Sequence, residues 1–127
     1  MVGLVHELST MVDEHNTADA VGSGMARVFA TPMMILLMEK TAASCIAPEL
    51  DEGFVSVGTH VNVRHTSASP IGTKITAKAE VLALNGRLVE FRVTAWDDTG
   101  LIGEGTHTRA VVNLARFQEK ANEKAQK

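Results

Sequence analysis

Between Thr31-Pro32 and Pro48 the chain carries one carboxylate, Glu39, and one ammonium, Lys40, among residues that are otherwise Met, Ile, Leu, Ala, Thr, Ser and Cys. Thr31 can cap the free N–H groups of a helix start, and proline at the first helical position gives up no hydrogen bond. The spacing therefore predicts a helix from Pro32 to about Ile46, stopped by Pro48. Its apolar residues fall on nearly every face, which describes a helix buried all round and in need of a wrapper.

The following residues supply one. From Phe54 to His65 the odd positions Val55, Val57, Thr59, Val61 and Val63 alternate with Ser56, Gly58, His60, Asn62 and Arg64, the pattern of a half-buried strand whose odd side faces the core. Ser69-Pro70-Ile71-Gly72 reads as a turn, and a second strand runs from Thr73 to Leu84 with Ile75, Ala77, Ala79, Val81 and Ala83 on one face. Asn85-Gly86 is a strong hairpin signal. A third strand, Arg87 to Trp96, turns at Asp97-Asp98-Thr99-Gly100 into a fourth, Leu101 to about Asn113. Before the helix, Leu4 to Val12 fits an edge strand better than a short helix, and His15 to Gly24 is small and polar, as a flexible connection or lid would be. The tail from Ala115 to Lys127 predicts a frayed surface helix.

One helix followed by strands with no helices between them excludes a doubly wound parallel sheet. The expected class is α+β, a curved antiparallel sheet around one long central helix. At 127 residues, 45% of them hydrophobic, the chain suits one domain over 1–127 with a single core. Twelve Lys and Arg against 15 Asp and Glu give a net charge of −3, with no basic excess to neutralise a nucleic-acid backbone. The apolar run from Met33 to Met38 is far shorter than the roughly 20 residues of a bilayer-spanning helix. The first residues lack the basic and apolar regions of a secretory signal, so the expected location is the cytoplasm. Cys45, the lone cysteine, has nothing to pair with and is expected to be a buried, inert thiol.

Few residues stand out for chemistry. Glu39 lies in the apolar helix, where an unpaired charge is costly to bury. It either reaches a surface gap beside Lys40 or lines a cleft that tunes its basicity. His65 ends the first long strand on the core side and needs a polar partner, which the backbone alone could supply. Gly58 interrupts a strand of β-branched residues, as a bulge or a close ligand approach would require. His6, His15, His60 and His107 have no metal-ligand spacing among themselves or with Cys45. No G-x-S-x-G elbow, phosphate-cradling glycine loop or dinucleotide fingerprint occurs.

Taken in order, Ala30-Thr31-Pro32, Leu37-Met38-Glu39, Ala47-Pro48-Glu49-Leu50, Ser56-Val57-Gly58-Thr59, His65-Thr66-Ser67-Ala68-Ser69-Pro70-Ile71-Gly72 and Ile102-Gly103-Glu104-Gly105-Thr106-His107 resemble the fluoroacetyl-CoA thioesterase-like family of hotdog proteins. The likeness runs from about Val28 to Phe117. It implies a hotdog fold and an acyl-CoA thioesterase with no cofactor beyond the CoA of its substrate. Thr31, Glu39 and His65 match the family's catalytic group, and Gly58 matches its thioester-binding glycine. Glu39 would serve as nucleophile or general base, His65 would orient water or protonate the thiolate, and Thr31 with backbone N–H groups would stabilise the oxyanion. Arg64, Arg109, Arg116 and Lys120 are candidate partners for CoA phosphates.

Eight helical residues separate Thr31 from Glu39, a rise of roughly 12 Å, so the site is expected to need a second subunit and the chain to form a homodimer or higher oligomer. The segment from His15 to Val28 is expected to be shorter and poorer in large apolar residues than the lid of the fluoroacetyl-selective member. This points to a different small or medium acyl group. The alternatives are a non-catalytic acyl-CoA-binding or regulatory hotdog domain and, less well matched, a hotdog hydratase, whose Gly-Asp-x-Asn-Pro stretch does not occur here.

Overall fold

The computed structural model describes residues 1–126. Strand β1 (Val5–Met11) leads through a short helix α1 (Ala18–Val21) to the long helix α2 (Thr31–Ile46). A 3-10 turn at Ala47–Glu49 ends α2, and β2 (Phe54–His65), β3 (Lys74–Asn85), β4 (Leu88–Asp97), β5 (Gly100–Asn113) and the terminal helix α3 (Leu114–Glu123) follow. All strands pair antiparallel in one sheet of order β1-β3-β4-β5-β2, which leaves β1 and β2 at the edges.

Helix α2 lies across this sheet. Its buried residues Met34, Leu37, Met38, Thr41, Ala42, Cys45 and Ile46 recur at the three- and four-residue spacing of one helical face. They pack on Ile75, Ala77, Ala79 and Val81 of β3 and on Phe91, Val93 and Ala95 of β4. The alanines keep the sheet surface low, so a methionine- and leucine-rich helix can seat closely against it. The expectation of burial on every face fails along one stripe: Pro32, Leu36, Lys40 and Ser44, four residues apart, are exposed. A single sheet covers one side of a helix, and nothing among the described residues covers the exposed stripe.

The lid-like connection before α2 contains the four residues of α1 and is tied down by its backbone. Ala18 N donates to Val28 O, and Phe29 N to Ser69 O. The hairpin at Asn85-Gly86 forms as expected, although Asn85 pairs with Leu88, so the central residues are Gly86 and Arg87. Gly86, with φ 62°, supplies the left-handed conformation that the first central position of such a turn requires.

Two corrections concern faces of strands. The register of β2 against β5 shifts between Gly58 and His60, leaving Thr59 as the extra residue of a bulge. Ser56 and Gly58 before it therefore share the helix-facing side with Val61, Val63 and His65 after it, while Val55 and Val57 turn to the opposite face. Strict odd–even alternation could not reveal this, because one inserted residue reverses it. A second shift, between Val81 and Ala83, moves Ala83 out of the core face expected for it.

Candidate active site

The residue expected to cap α2 does something else. The cap position belongs to Ala30, whose carbonyl accepts from Met33 N and Met34 N, and Thr31 is the first helical residue. Its hydroxyl is thereby free of the helix, and Thr31 Oγ1 lies 2.8 Å from His65 Nδ1. His65 reaches this point because Thr66 N bonds Ile102 O and because buried Ser69 is held at two places. Its carbonyl accepts from Phe29 N, just before the helix, and its hydroxyl donates to Asp97 Oδ2 at 2.8 Å. The far nitrogen of the ring, His65 Nε2, is buried without a hydrogen-bond partner. Burial holds the imidazole below its ordinary pKa, with the Ser67 backbone opposing. A cavity of about 320 Å³ opens beside the pair, lined by Ala18, Ser23, Val28, Phe29, Ser67 and Ala68. His65 also lines this cavity, and a neutral imidazole with an uncommitted nitrogen can accept or deliver a proton once a partner reaches it.

Glu39 occupies the next part of the helix and faces β2 and β5. Its Oε2 lies 3.6 Å from Arg109 Nη1, the one ion pair found for it among the described residues. The carboxylate side chain is 37% exposed and the guanidinium side chain 9%, so the arginine end of the pair is buried and the carboxylate end is partly open to solvent. Gly58 lies against the carboxylate. A Cβ added there would lie 2.6 Å from Glu39 Oε2 and 3.2 Å from the His107 ring, so the absence of a side chain is what admits the carboxylate. Glu39 is partly solvated, and its charged neighbour is Arg109 rather than Lys40.

The structure joins Thr31 to His65 and Glu39 to Gly58, and within one chain these are separate groups at different heights of α2. Arg109, a candidate for CoA phosphates, is folded inward: Nε donates to Ser56 Oγ and Nη2 to Ser56 O. Arg64 is exposed and lies opposite Glu104 in the register. Arg116 and Lys120 line an apolar groove of about 730 Å³ between α3 and the outer face of β2 and β5. The residue that reading the sequence passed over is His107, 1% exposed, which bonds Arg109. Its signal was available: His107 and Arg109 are two apart on a strand and so share a face, an unusual pair of polar side chains to aim at a core. Among the described residues no three His, Cys, Asp or Glu side chains are placed to hold a metal ion.

A five-stranded antiparallel sheet of this order wrapped on one long helix, with a Thr–His pair at the helix start and a carboxylate two turns on, defines a hotdog-fold protein of the thioesterase kind. A thioesterase superfamily member of Thermus thermophilus superposes with a TM-score of 0.91 at 26% identity, covering 99% of this chain and 93% of that one. The family described as fluoroacetyl-CoA-specific thioesterase matches residues 12–115, and the chain belongs to it. The fluoroacetyl-CoA thioesterase of Streptantibioticus cattleyicolor is 43% identical over 97 residues, 76% of this chain and 70% of that protein. The solved structure of fluoroacetyl-CoA thioesterase FlK superposes with a TM-score of 0.92 at 36% identity, over 98% of this chain and 96% of that one. Met25, 96% exposed, is the most exposed of the large apolar side chains.

Proposed function

We propose that this protein hydrolyses a small or medium acyl-CoA thioester to the free acid and CoA, using Glu39, His65 and Thr31 and no cofactor. The observation that carries the reading is the unpartnered, buried Nε2 of His65 beside a cavity, with its other nitrogen held by Thr31. A hydrogen-bonding group in that position gains its missing partner when substrate or water arrives. In the proposed reaction the carbonyl carbon of the thioester accepts an oxygen, the C–S bond breaks, and the CoA thiolate takes a proton. Glu39 either deprotonates the water that attacks the carbonyl, or attacks it directly to give a mixed anhydride that a water then hydrolyses to the free acid, restoring the Glu39 carboxylate; in both routes water is the source of the proton. His65 moves the proton to sulfur, and the Thr31 hydroxyl with backbone N–H groups at the helix start stabilises the oxyanion. On this reading Gly58 and Arg109 contact the acyl-thioester end of the substrate, which the inward fold of the guanidinium supports, and exposed Arg64 contacts the CoA moiety.

A homodimer completes the site. The rise of roughly 12 Å between Thr31 and Glu39 is too long for one substrate carbonyl to meet both in a single chain. The edge strand β2 is exposed over five consecutive residues, Gly58 to Asn62, and offers unpaired backbone groups to a second copy. Joined there, the Thr31–His65 pair of one protomer faces the partner subunit's Glu39. The buried Cys45 thiol, pushed up in pKa by burial, suits the reducing cytoplasm in which we place the protein.

The test is a hydrolysis panel over acyl-CoA chain lengths, including acetyl-CoA and fluoroacetyl-CoA, followed by free-thiol release. Turnover of a small or medium member, abolished in Glu39→Gln, is expected. No turnover of any member, or a Glu39→Gln variant as active as wild type, overturns the assignment in favour of a binding domain.

A further inference from the structure

His107 takes no part in the chemistry above, yet its two ring nitrogens are both committed. Nδ1 lies 2.8 Å from the carbonyl oxygen of His60, and a carbonyl only accepts, so Nδ1 carries a proton. Nε2 lies 3.1 Å from Arg109 Nη1, and a guanidinium only donates, so Nε2 carries a lone pair. Both contacts are satisfied by one species alone, the neutral imidazole protonated on Nδ1. The ring is stacked on Phe91, with centroids 6.1 Å apart and planes 25° from parallel. Arg109 is fixed on its other side by the two bonds to Ser56, and what remains of Nη1 points at Glu39.

We propose that His107 is a positioning residue, a neutral relay from the His60 carbonyl to Arg109 that sets the guanidinium plane so that Nη1 faces the Glu39 carboxylate. This rests on Glu39 being the reacting carboxylate. Without the acceptor at Nε2, Nη1 has a buried N–H to satisfy elsewhere, and Glu39 is the acceptor it would turn towards or leave. A proton on Nε2 would set two N–H donors and two positive charges 3.1 Å apart. The charged or titratable groups facing the ring are Arg109 on β5, Glu39 on α2 and His60 on β2, while β4 presents the Phe91 ring. Burial, helped by Arg109, holds His107 below its ordinary pKa and so in the neutral form the relay needs.

The first measurement uses the wild-type protein: long-range ¹H–¹⁵N correlation of the histidine rings at pH 7. His107 is expected with Nδ1 protonated and Nε2 bare, and a proton on Nε2 overturns the relay whether or not any acyl-CoA is hydrolysed. The second compares His107→Gln, which can place an acceptor oxygen where Nε2 stood, with His107→Phe, which keeps the stacked ring and removes the acceptor. The Phe variant is expected to lose about tenfold or more in kcat with little change in KM, and the Gln variant to stay within about threefold of wild type. Equal kcat in the two variants, whether lowered or unchanged, overturns the proposal. If the Phe variant does not fold, the nitrogen protonation states decide alone. An enzyme inactive on every acyl-CoA removes the proposed function and leaves the tautomer result standing.

Discussion

Thr31 Oγ1 and His65 Nδ1 are 2.8 Å apart, although 34 residues separate them in the chain. The contact exists because the helix is capped one residue earlier, at Ala30, which releases the threonine hydroxyl from the backbone. Stability and activity should therefore separate at this residue. Thr31→Ala should cost under about 0.5 kcal/mol, as for an exposed residue, where loss of a true cap costs about 1 kcal/mol. Hydrolysis should fall by about tenfold or more, and Thr31→Ser should restore most of it. Thermal melts beside kcat measurements check both. A large drop in melting temperature with kcat intact would return Thr31 to the role of cap.

Gly58→Ala should act through space, since its backbone has no positive φ to strain. The new Cβ would fall 2.6 Å from Glu39 Oε2, and a flexible carboxylate yields before a strand does. Misplacing a reacting group by an ångström can cost about a hundredfold, so a fall of at least about tenfold in kcat with an intact fold is expected. A fully active Gly58→Ala enzyme would mean that the carboxylate has no required place there.

A composite site makes a prediction about mixtures. Glu39→Gln and His65→Ala, each inactive alone, should complement after unfolding and refolding together, because half of the heterodimer's sites then hold an intact Glu39 and an intact His65. Random pairing gives about a quarter of wild-type activity. Mixing that restores nothing would place all catalytic groups of a site in one chain.

Burial holds both His65 and His107 below their ordinary pKa in the folded state. An unfolded histidine takes up its proton near pH 6.5, so between that value and the lower folded pKa values the unfolded chain binds more protons. Stability is then fully present above about pH 6.5 and declines as pH falls through the folded values. Melting temperature should be lower at pH 5 than at pH 7, with a shallower decline in His107→Gln. An identical decline in that variant would mean that His107 does not contribute.

Asp97 holds the loop after β2 in place. Its Oδ1 accepts from Thr99 N and Thr99 Oγ1, its Oδ2 from Ser69 Oγ, and these bonds, Thr99 first, hold its carboxyl below the usual range. Asp97→Ala strands a buried Ser69 hydroxyl and should cost about 1–3 kcal/mol. Because the same loop carries His65 to Thr31, kcat should fall as well, by a change in chemistry far from the mutated residue. Loss of stability without loss of kcat would separate the loop from the site.

Local pattern was enough for the elements themselves. Pro32 and Pro48 bracket α2, alternation marks β2 to β5, and Gly86 and Gly100 punctuate the turns, because each signal acts within a few residues of its cause. The family likeness pointed to Thr31, Glu39, Gly58 and His65 as a set. It could not say which of them touch, and the structure divides the set, pairing Thr31 with His65 and leaving Glu39 with Arg109.

What only tertiary structure decided arises from a single inserted residue and from contacts between distant strands. The bulge at Thr59 reverses the faces of β2, bringing Gly58 to the carboxylate and sending Val57 outward. His107 closes one of the stretches that carry the family likeness, but its contacts come from the β5 register, which sets it opposite Val61, near the His60 carbonyl and two residues from Arg109. Side-chain alternation is a local property of one strand, whereas a bulge and a buried hydrogen-bond chain depend on what the neighbouring strand presents, and that is written nowhere in the strand itself.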